Sequence, residues 1–288
     1  MKVGVIGASG VIGRSLLPKL QARGMAVRCI VRPGSERALP DGALEVAEAD
    51  LLDASALAQA LQGLDAVVNL ATRIPGAGGD WQQNDLIRTE GTRCLLAALA
   101  QQSQPCRLVQ QSIAMLHQSP HLADESDELC GQGNLASALW MEAAVQTSPL
   151  DWVLLRGAAL YGPGTARDDG YFARIRDGEV ALPLEPGRYL SLIHINDLAC
   201  AFATALTAPA RQAYIASDDA PLTYRALFAG MRPCGSAKAD ASPLATLPSF
   251  RVSNRRLKCL GWQPCYPNVF AHWHPSAGRA WPLATITV

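Results

Sequence analysis

An α/β fold, with a doubly wound parallel sheet followed by a smaller lobe, is what this sequence predicts. Two observations carry that expectation. Short apolar runs alternate with helically periodic stretches over residues 2–155, and the first run ends in a glycine-rich turn that opens a helix. Strands of a parallel sheet are buried on both faces, so they read as continuous apolar runs.

The elements follow in order. Residues 2–6 form the first strand, and Leu16, Leu17 and Leu20 share one face of the next helix, which Gly24 stops. Further strands are expected at 26–31, 44–47, 66–71, 107–111 and 152–155. Helices are expected at 54–61, 81–102 and 134–147, with a Gly-rich loop at 72–80. Beyond residue 157 the rhythm loosens. Tyr161-Gly-Pro-Gly164 is a turn cluster, and Gly178, Pro183, Pro186 and Gly187 break up short strands. Residues 196–206 make one clear helix, capped by Asn196 or Asp197.

Composition excludes several classes. Hydrophobic residues make up 49% of the 288 and charged residues 17%, which is enough to build a core and argues against disorder. Basic and acidic side chains balance at 25 each, leaving no long-range field to gather nucleic acid or an anionic membrane. No apolar run reaches the roughly 18 residues that span a bilayer. The cysteines at 29, 94, 106, 130, 200, 234, 259 and 265 include no CxxC pair and read as reduced thiols of a cytoplasmic protein. A strand beginning at residue 2 argues against a cleaved leader. Cys94, Cys106 and Cys200 recur with apolar neighbours and read as core.

The turn Gly7-Ala-Ser-Gly10-Val-Ile-Gly13 matches a spaced glycine triplet in the strand–turn–helix context that gives it meaning. Glycines let the backbone approach a pyrophosphate, and the helix N-terminus offers free N–H groups to it. Ser9 adds a hydroxyl donor. These features describe a Rossmann-type sheet. Residues 1–156 are expected to form its dinucleotide-binding lobe, and 157–288 a predominantly substrate-binding lobe of the same compact unit. The end of the second strand selects the cofactor. An acidic residue there holds the ribose hydroxyls of NAD, and an arginine meets the 2′-phosphate of NADP. The chain has Val31-Arg32-Pro33, with Arg14 directly after the third glycine, so NADP(H) is expected over NAD(H).

Six segments in order resemble those of the extended short-chain dehydrogenase/reductases, the NAD(P)-dependent epimerase/dehydratase-like superfamily. They are Gly7–Gly13, Ala49-Asp-Leu-Leu-Asp53, Asp65-Ala-Val-Val-Asn-Leu-Ala71, Arg156-Gly-Ala-Ala-Leu-Tyr-Gly-Pro-Gly164, Ile193-His-Ile-Asn-Asp-Leu-Ala199 and Leu260-Gly-Trp-Gln-Pro264. The resemblance implies that Gly7, Ser9, Gly10, Val11, Ile12 and Gly13 meet the pyrophosphate. It places Arg32, Asp50 and Leu51 around the adenosine, and Leu70, Ala71 and Thr72 near the ribose and nicotinamide. It also implies a small-molecule substrate and, because relatives often pair through two long helices, a homodimer.

The catalytic pattern departs from the family's. The resemblance puts a serine at Ser112, but a Tyr-x-x-x-Lys motif occurs nowhere in the chain. Asn134 stands at the tyrosine position, Ala138 at the lysine position, and Arg88 at the usual asparagine. A phenol needs a nearby cation to work at neutral pH, so the usual acid is missing. Two readings compete. One is an enzyme that reduces a substrate needing little acid help, an iminium or an activated alkene, or runs a non-redox isomerase, lyase or cyclase step. The other is a silent NADP-binding sensor or partner subunit. Candidates for acid or electrostatic help are Ser112, Arg88, Asn134 and His117, with His121 beside them. Each has a bland counterpart: Ser112 a strand-end hydroxyl, His117 and His121 solvated loop residues, Arg88 a solvated charge or a partner of Asp85 or Glu90. Facing the cavity, Arg88 would favour an anionic substrate. His194 reads as structural, and His272 with His274 has no third metal ligand at suitable spacing.

Overall fold

The computed structural model describes residues 1–35, 39, 45–75, 79–232 and 237–273. Leu44, Cys234, His274 and positions 76–78 of the Gly-rich loop lie outside that set. Seven parallel strands form the central sheet: β1 (Lys2–Ile6), β2 (Ala26–Val31), β3 (Glu45–Glu48), β4 (Ala66–Asn69), β5 (Arg107–Ile113), β6 (Trp152–Gly157) and β7 (Gln212–Ala216). Their order is β7-β6-β5-β4-β1-β2-β3. The chain winds outward from β1 to β3, then crosses back to β4 on the other side of β1. Loops leave in opposite directions from the carboxyl ends of β1 and β4, which opens a crevice between them. Ile6 is in register with Ile30 on one side and Asn69 on the other.

Alternate residues of each strand feed two core layers. Val3, Val5, Val27, Cys29, Val68, Val109, Val153 and Leu155 face one layer, with Leu16, Leu17 and Leu20 of α1 (Val11–Ala22). Ile30, Val67, Leu108 and Leu154 face the other, with Leu57 of α2 (Ala54–Ala60) and Leu95 and Leu99 from the long helix that follows β4. Each such leucine contributes about 2 kcal/mol by leaving water. Asp53 starts α2, its carboxylate accepting from the amides of Ser55 and Ala56 at 3.0 Å.

The helix expected over 81–102 is one bar with an irregular centre: α3 (Gln82–Leu86), a π turn at Ile87–Gly91, and α4 (Thr92–Ala100). Asn84, Arg88, Thr92, Leu95 and Leu99 form one buried stripe that runs through the π turn at helical spacing. The next helix, α5 (Ala136–Thr147), begins after a single 3-10 turn at Gly133–Leu135.

The boundary at residue 156 follows the chain but not the layers. Residues 195–216 return to the main sheet as α6 (Ile195–Ala205), which packs on α1, and as β7 beside β6. The lobe proper is made of short pairs: 159–161 with 192–194, 189–190 with 222–223, and 180–181 with 242–243. The cap of α6 also differs from expectation. His194 supplies it, Nδ1 accepting from the Asn196 amide at 3.2 Å, whereas Asp197 accepts from the amides of Cys265 and Tyr266 at 2.9 Å and ties down the chain after Trp262. Among the described residues, no helix is long and apolar enough to cross a membrane.

Candidate functional site

The glycine turn is a cradle shaped by contact. Gly7 has φ +80°, a left-handed conformation that favours glycine, and its carbonyl accepts from the Gly10 amide at 3.0 Å. A Cβ at Gly13 would stand 2.6 Å from the Gly7 carbonyl oxygen and closer still to that of Ala8. The start of α1 has no side-chain cap and no acidic residue in its first turn, so its first N–H groups are free for an anion. A Cβ on Gly7 would lie 3.2 Å from the Leu70 carbonyl carbon, so the ends of β1 and β4 nearly touch. Asn69 sets that approach. Its Oδ1 accepts from the Ala71 amide at 3.1 Å and its Nδ2 donates to Gln110 at 3.0 Å. This donor-rich cradle fits a pyrophosphate. Ser9 and Val11 are half-buried at its surface, while the Ile12 side chain belongs to the core and only its backbone can serve a ligand.

The adenosine side is more open. Arg14 and Arg32 are exposed. Asp50 Oδ1 accepts from the Leu52 amide at 2.9 Å, and its other oxygen has no hydrogen bond to the described residues. Leu51 is buried, and Gly91 lies so close that a Cβ there would stand 2.8 Å from its side chain. On the β4 side Leu70 is buried, Ala71 half-buried and Thr72 exposed at the rim.

The catalytic end is wired through a buried ion pair. Ser112 and Arg156 are neighbours in register on β5 and β6. Arg156 donates to Glu142 of α5 at 2.7 Å from Nη2 and 3.0 Å from Nε, and its Nη1 lies 3.1 Å from His117 Nε2. The Ser112 hydroxyl donates to the same carboxylate. All four side chains are buried. Glu142 and Arg156 are the members whose role the sequence reading missed. The signal was present as an acidic residue inside an apolar helix and a basic one inside an apolar strand, two types rarely buried unless paired.

That wiring corrects the expectation for His117. It is not a solvated loop residue but fully buried. An arginine can only donate, so His117 Nε2 must accept and its proton sits on Nδ1, which has no partner among the described residues. Burial, then the adjacent Arg156 charge, push its pKa down to about 4, so it is neutral at physiological pH and is no acid there. Because the unfolded chain protonates this ring near 6.5, its contribution to stability is full above that pH and is lost as pH falls toward 4. Urea unfolding of the wild type and His117→Asn should therefore converge. The gap between them is expected to shrink by about 2 kcal/mol from pH 7 to pH 4.5.

Ser112 keeps its place at the strand end but has its proton committed to Glu142, leaving only acceptor capacity. Ala138 is fully buried with Leu116 and Leu135, so the position the resemblance assigns to a lysine is apolar. Asn134 is exposed, and its side-chain amide makes no hydrogen bond to the described residues. Arg88 departs from both of its bland readings. It is buried on the same stripe as Asn84 and Thr92, and its Nη1 donates at 3.4 Å to the Asn134 carbonyl and the Ser137 hydroxyl. The expected ion-pair partners are engaged elsewhere: Glu90 with Arg93 at 2.9 Å, and Asp85 with the Ser137 hydroxyl at 2.6 Å. His121 is exposed, between Asp127 and Ser119, each at 2.6 Å. His272 pairs with Asp168 at 3.1 Å. Cys106 is buried, whereas Cys94 and Cys200 are only partly so.

A family model described as NAD(P)H-binding matches residues 7–180. The 3-diazoavenalumate denitrifying reductase of a Streptomyces species is 31% identical over 311 residues, covering 97% of this chain and 100% of its own. Among solved structures, the UDP-glucose 4-epimerase of Thermus thermophilus in complex with NAD superposes with a TM-score of 0.77 at 22% identity, over 96% of this chain and 100% of that one. A short-chain dehydrogenase/reductase superfamily protein from Agrobacterium tumefaciens with bound NAD gives 0.74 at 21% identity, over 97% and 96%. At that level of identity the structures speak for the fold.

Proposed function

The chain belongs to the NAD(P)H-binding family of epimerase-like short-chain dehydrogenase/reductases, an oxidoreductase-like group, and we propose that it reduces a small electrophile with NADPH without a protein acid. The observation that carries this reading is the wiring at the end of β5. Ser112 has its proton bound to Glu142, His117 is held neutral by burial and then by Arg156, and Asn134 and Ala138 cannot titrate. None of these groups delivers a proton at neutral pH.

When bound, the reduced nicotinamide supplies a hydride. The cradle from Gly7 to Gly13 would hold the pyrophosphate, and the residues at the converging ends of β1 and β4 would line the crevice beside the nicotinamide. Ser112 and Asn134 then position the substrate. A fitting substrate completes its reaction on receiving hydride at carbon. An aryldiazonium carbon does so by releasing dinitrogen with the bonding electron pair, and no proton is consumed. An iminium carbon becomes a neutral amine, and an activated alkene needs one proton, which water can provide. The Streptomyces relative is named for denitrifying reduction of a diazo compound, so the diazo class leads.

The test follows NADPH loss and dinitrogen release over aryldiazonium, iminium, enone and ketone substrates, each corrected for its enzyme-free rate. Turnover of diazonium or iminium with an inert ketone is expected. Equal turnover of the ketone would overturn the reading, and binding without turnover in every class would point instead to a silent NADP-binding sensor.

The preference for NADPH rests on Arg32 and Arg14, both exposed, and on the absence of an acidic residue at the end of β2. Arg32→Ala is expected to raise the NADPH dissociation constant about tenfold, one charge-assisted contact, and to leave that for NADH unchanged in fluorescence titration. A cytoplasmic location fits the scattered thiols.

A further inference from the structure

We infer that Arg88 is the anchor for a carboxylate on the substrate, held with the Asn134 amide between the π turn and the start of α5. This rests on the reductase reading above and adds the substrate's chemical class.

Three other largely shielded arginines, Arg28, Arg107 and Arg156, each hold a carboxylate. Arg156, 3% exposed, has a bidentate carboxylate. Arg107 combines Asp151 with the carbonyls of Leu206 and Ala208 at 3.0 and 2.7 Å. Arg28 combines Glu45 with the carbonyls of Ala60 and Gln62 at 2.7 and 2.8 Å. Arg167, which lacks an acid, has the Leu160 carbonyl at 3.1 Å and the Tyr171 ring 5.0 Å away. Arg88 is only 6% exposed, and a single nitrogen makes two bonds, both 3.4 Å long. Its other N–H groups have no partner, and no carboxylate lies within ion-pair distance, among the described residues.

A guanidinium buried this far loses most of its hydration, and two marginal bonds do not replace it. Burial already works against its charge, with Asp85 acting from behind Ser137 to hold it. What is missing is a planar anion with two oxygens, the shape that the guanidinium fork binds through parallel N–H···O bonds. Ser137 cannot supply it, because its proton goes to Asp85 and it only accepts from Arg88. Asn134, whose backbone carbonyl accepts from the fork, carries an exposed side-chain amide, a further donor for the same anion. A purely structural arginine, pinning α5 to the π turn, would need nothing more than the two bonds seen and would be indifferent to the charge of a ligand.

The experiment is calorimetric titration of the NADPH-loaded protein with benzoate, phenylacetate and cinnamate, each against its amide, and with inorganic phosphate. At least one acid is expected to bind about tenfold or more tightly than its amide. That preference should vanish in Arg88→Met and return in part in Arg88→Lys. Acids and amides binding alike, or no acid binding at all, would overturn the inference, as would phosphate binding more tightly than every acid. NADPH affinity of each variant reports folding. If Arg88→Met does not bind NADPH, the wild-type comparison and Arg88→Lys decide. Failure here with NADPH still consumed on the diazonium panel removes only the carboxylate anchor. Failure of that panel removes the reductase reading and leaves the acid-against-amide result standing on its own.

Discussion

Gly13→Ala is expected to raise the NADPH dissociation constant by about 100-fold and to lower stability by about 2–3 kcal/mol. The added methyl would overlap the carbonyl oxygens of Gly7 and Ala8, which are backbone and cannot swing aside. Either the β1 turn opens or α1 moves away from it, and both misplace the N–H groups that face the pyrophosphate. Gly10→Ala is the internal control. Its Cβ would lie 3.1 Å from the Gly7 oxygen, a contact that small shifts relieve, so its loss of affinity should be at least tenfold smaller. Fluorescence titration with NADPH and thermal unfolding read both effects. Equal behaviour of the two variants would show that close packing of α1 on the turn does not set the site.

Glu142→Ala should be the most destabilising single change at the catalytic end, costing about 3–5 kcal/mol. It leaves the Arg156 guanidinium buried without a counter-charge and removes the acceptor of the Ser112 hydroxyl. The melting temperature should fall by roughly 10 °C. Glu142→Leu combined with Arg156→Met should recover most of that loss, because no uncompensated charge remains. The double variant also separates stability from function. With Ser112 released from Glu142, its proton becomes available to a substrate oxygen, and a rise in ketone reduction relative to wild type is the expected sign. Full additivity of the two single substitutions would show that the pair is not coupled.

The inner strands were legible because burial on both faces makes them continuous apolar runs, and because glycine stops are local events; the edge strand β3 is mostly exposed. The cradle was legible for the same reason. Gly7, Gly10 and Gly13 act within seven residues of one another, so their spacing carries their geometry. The seventh strand was not legible. Residues 212–216 are a short Gln-Ala-Tyr-Ile-Ala run in a stretch with no strand–helix rhythm around it, and pairing with β6 makes them a strand. The fates of Arg88 and His117 were hidden for a different reason. Each depends on partners far along the chain, Arg88 on Asn134 and Ser137, His117 on Arg156.

The sequence by itself determined that this is a nucleotide-binding α/β protein with no cation at position 138 and no tyrosine at 134. Those are statements of identity at single positions, and identity needs no fold. Only the tertiary structure decided what stands in their place. It buried Ala138 in an apolar cluster, committed the Ser112 proton to Glu142, held His117 neutral by burial and the adjacent Arg156, and packed Arg88 against the start of α5. Burial and pairing set the charge and hydrogen-bonding capacity of each group, and both arise from segments brought together by packing rather than by their spacing along the chain.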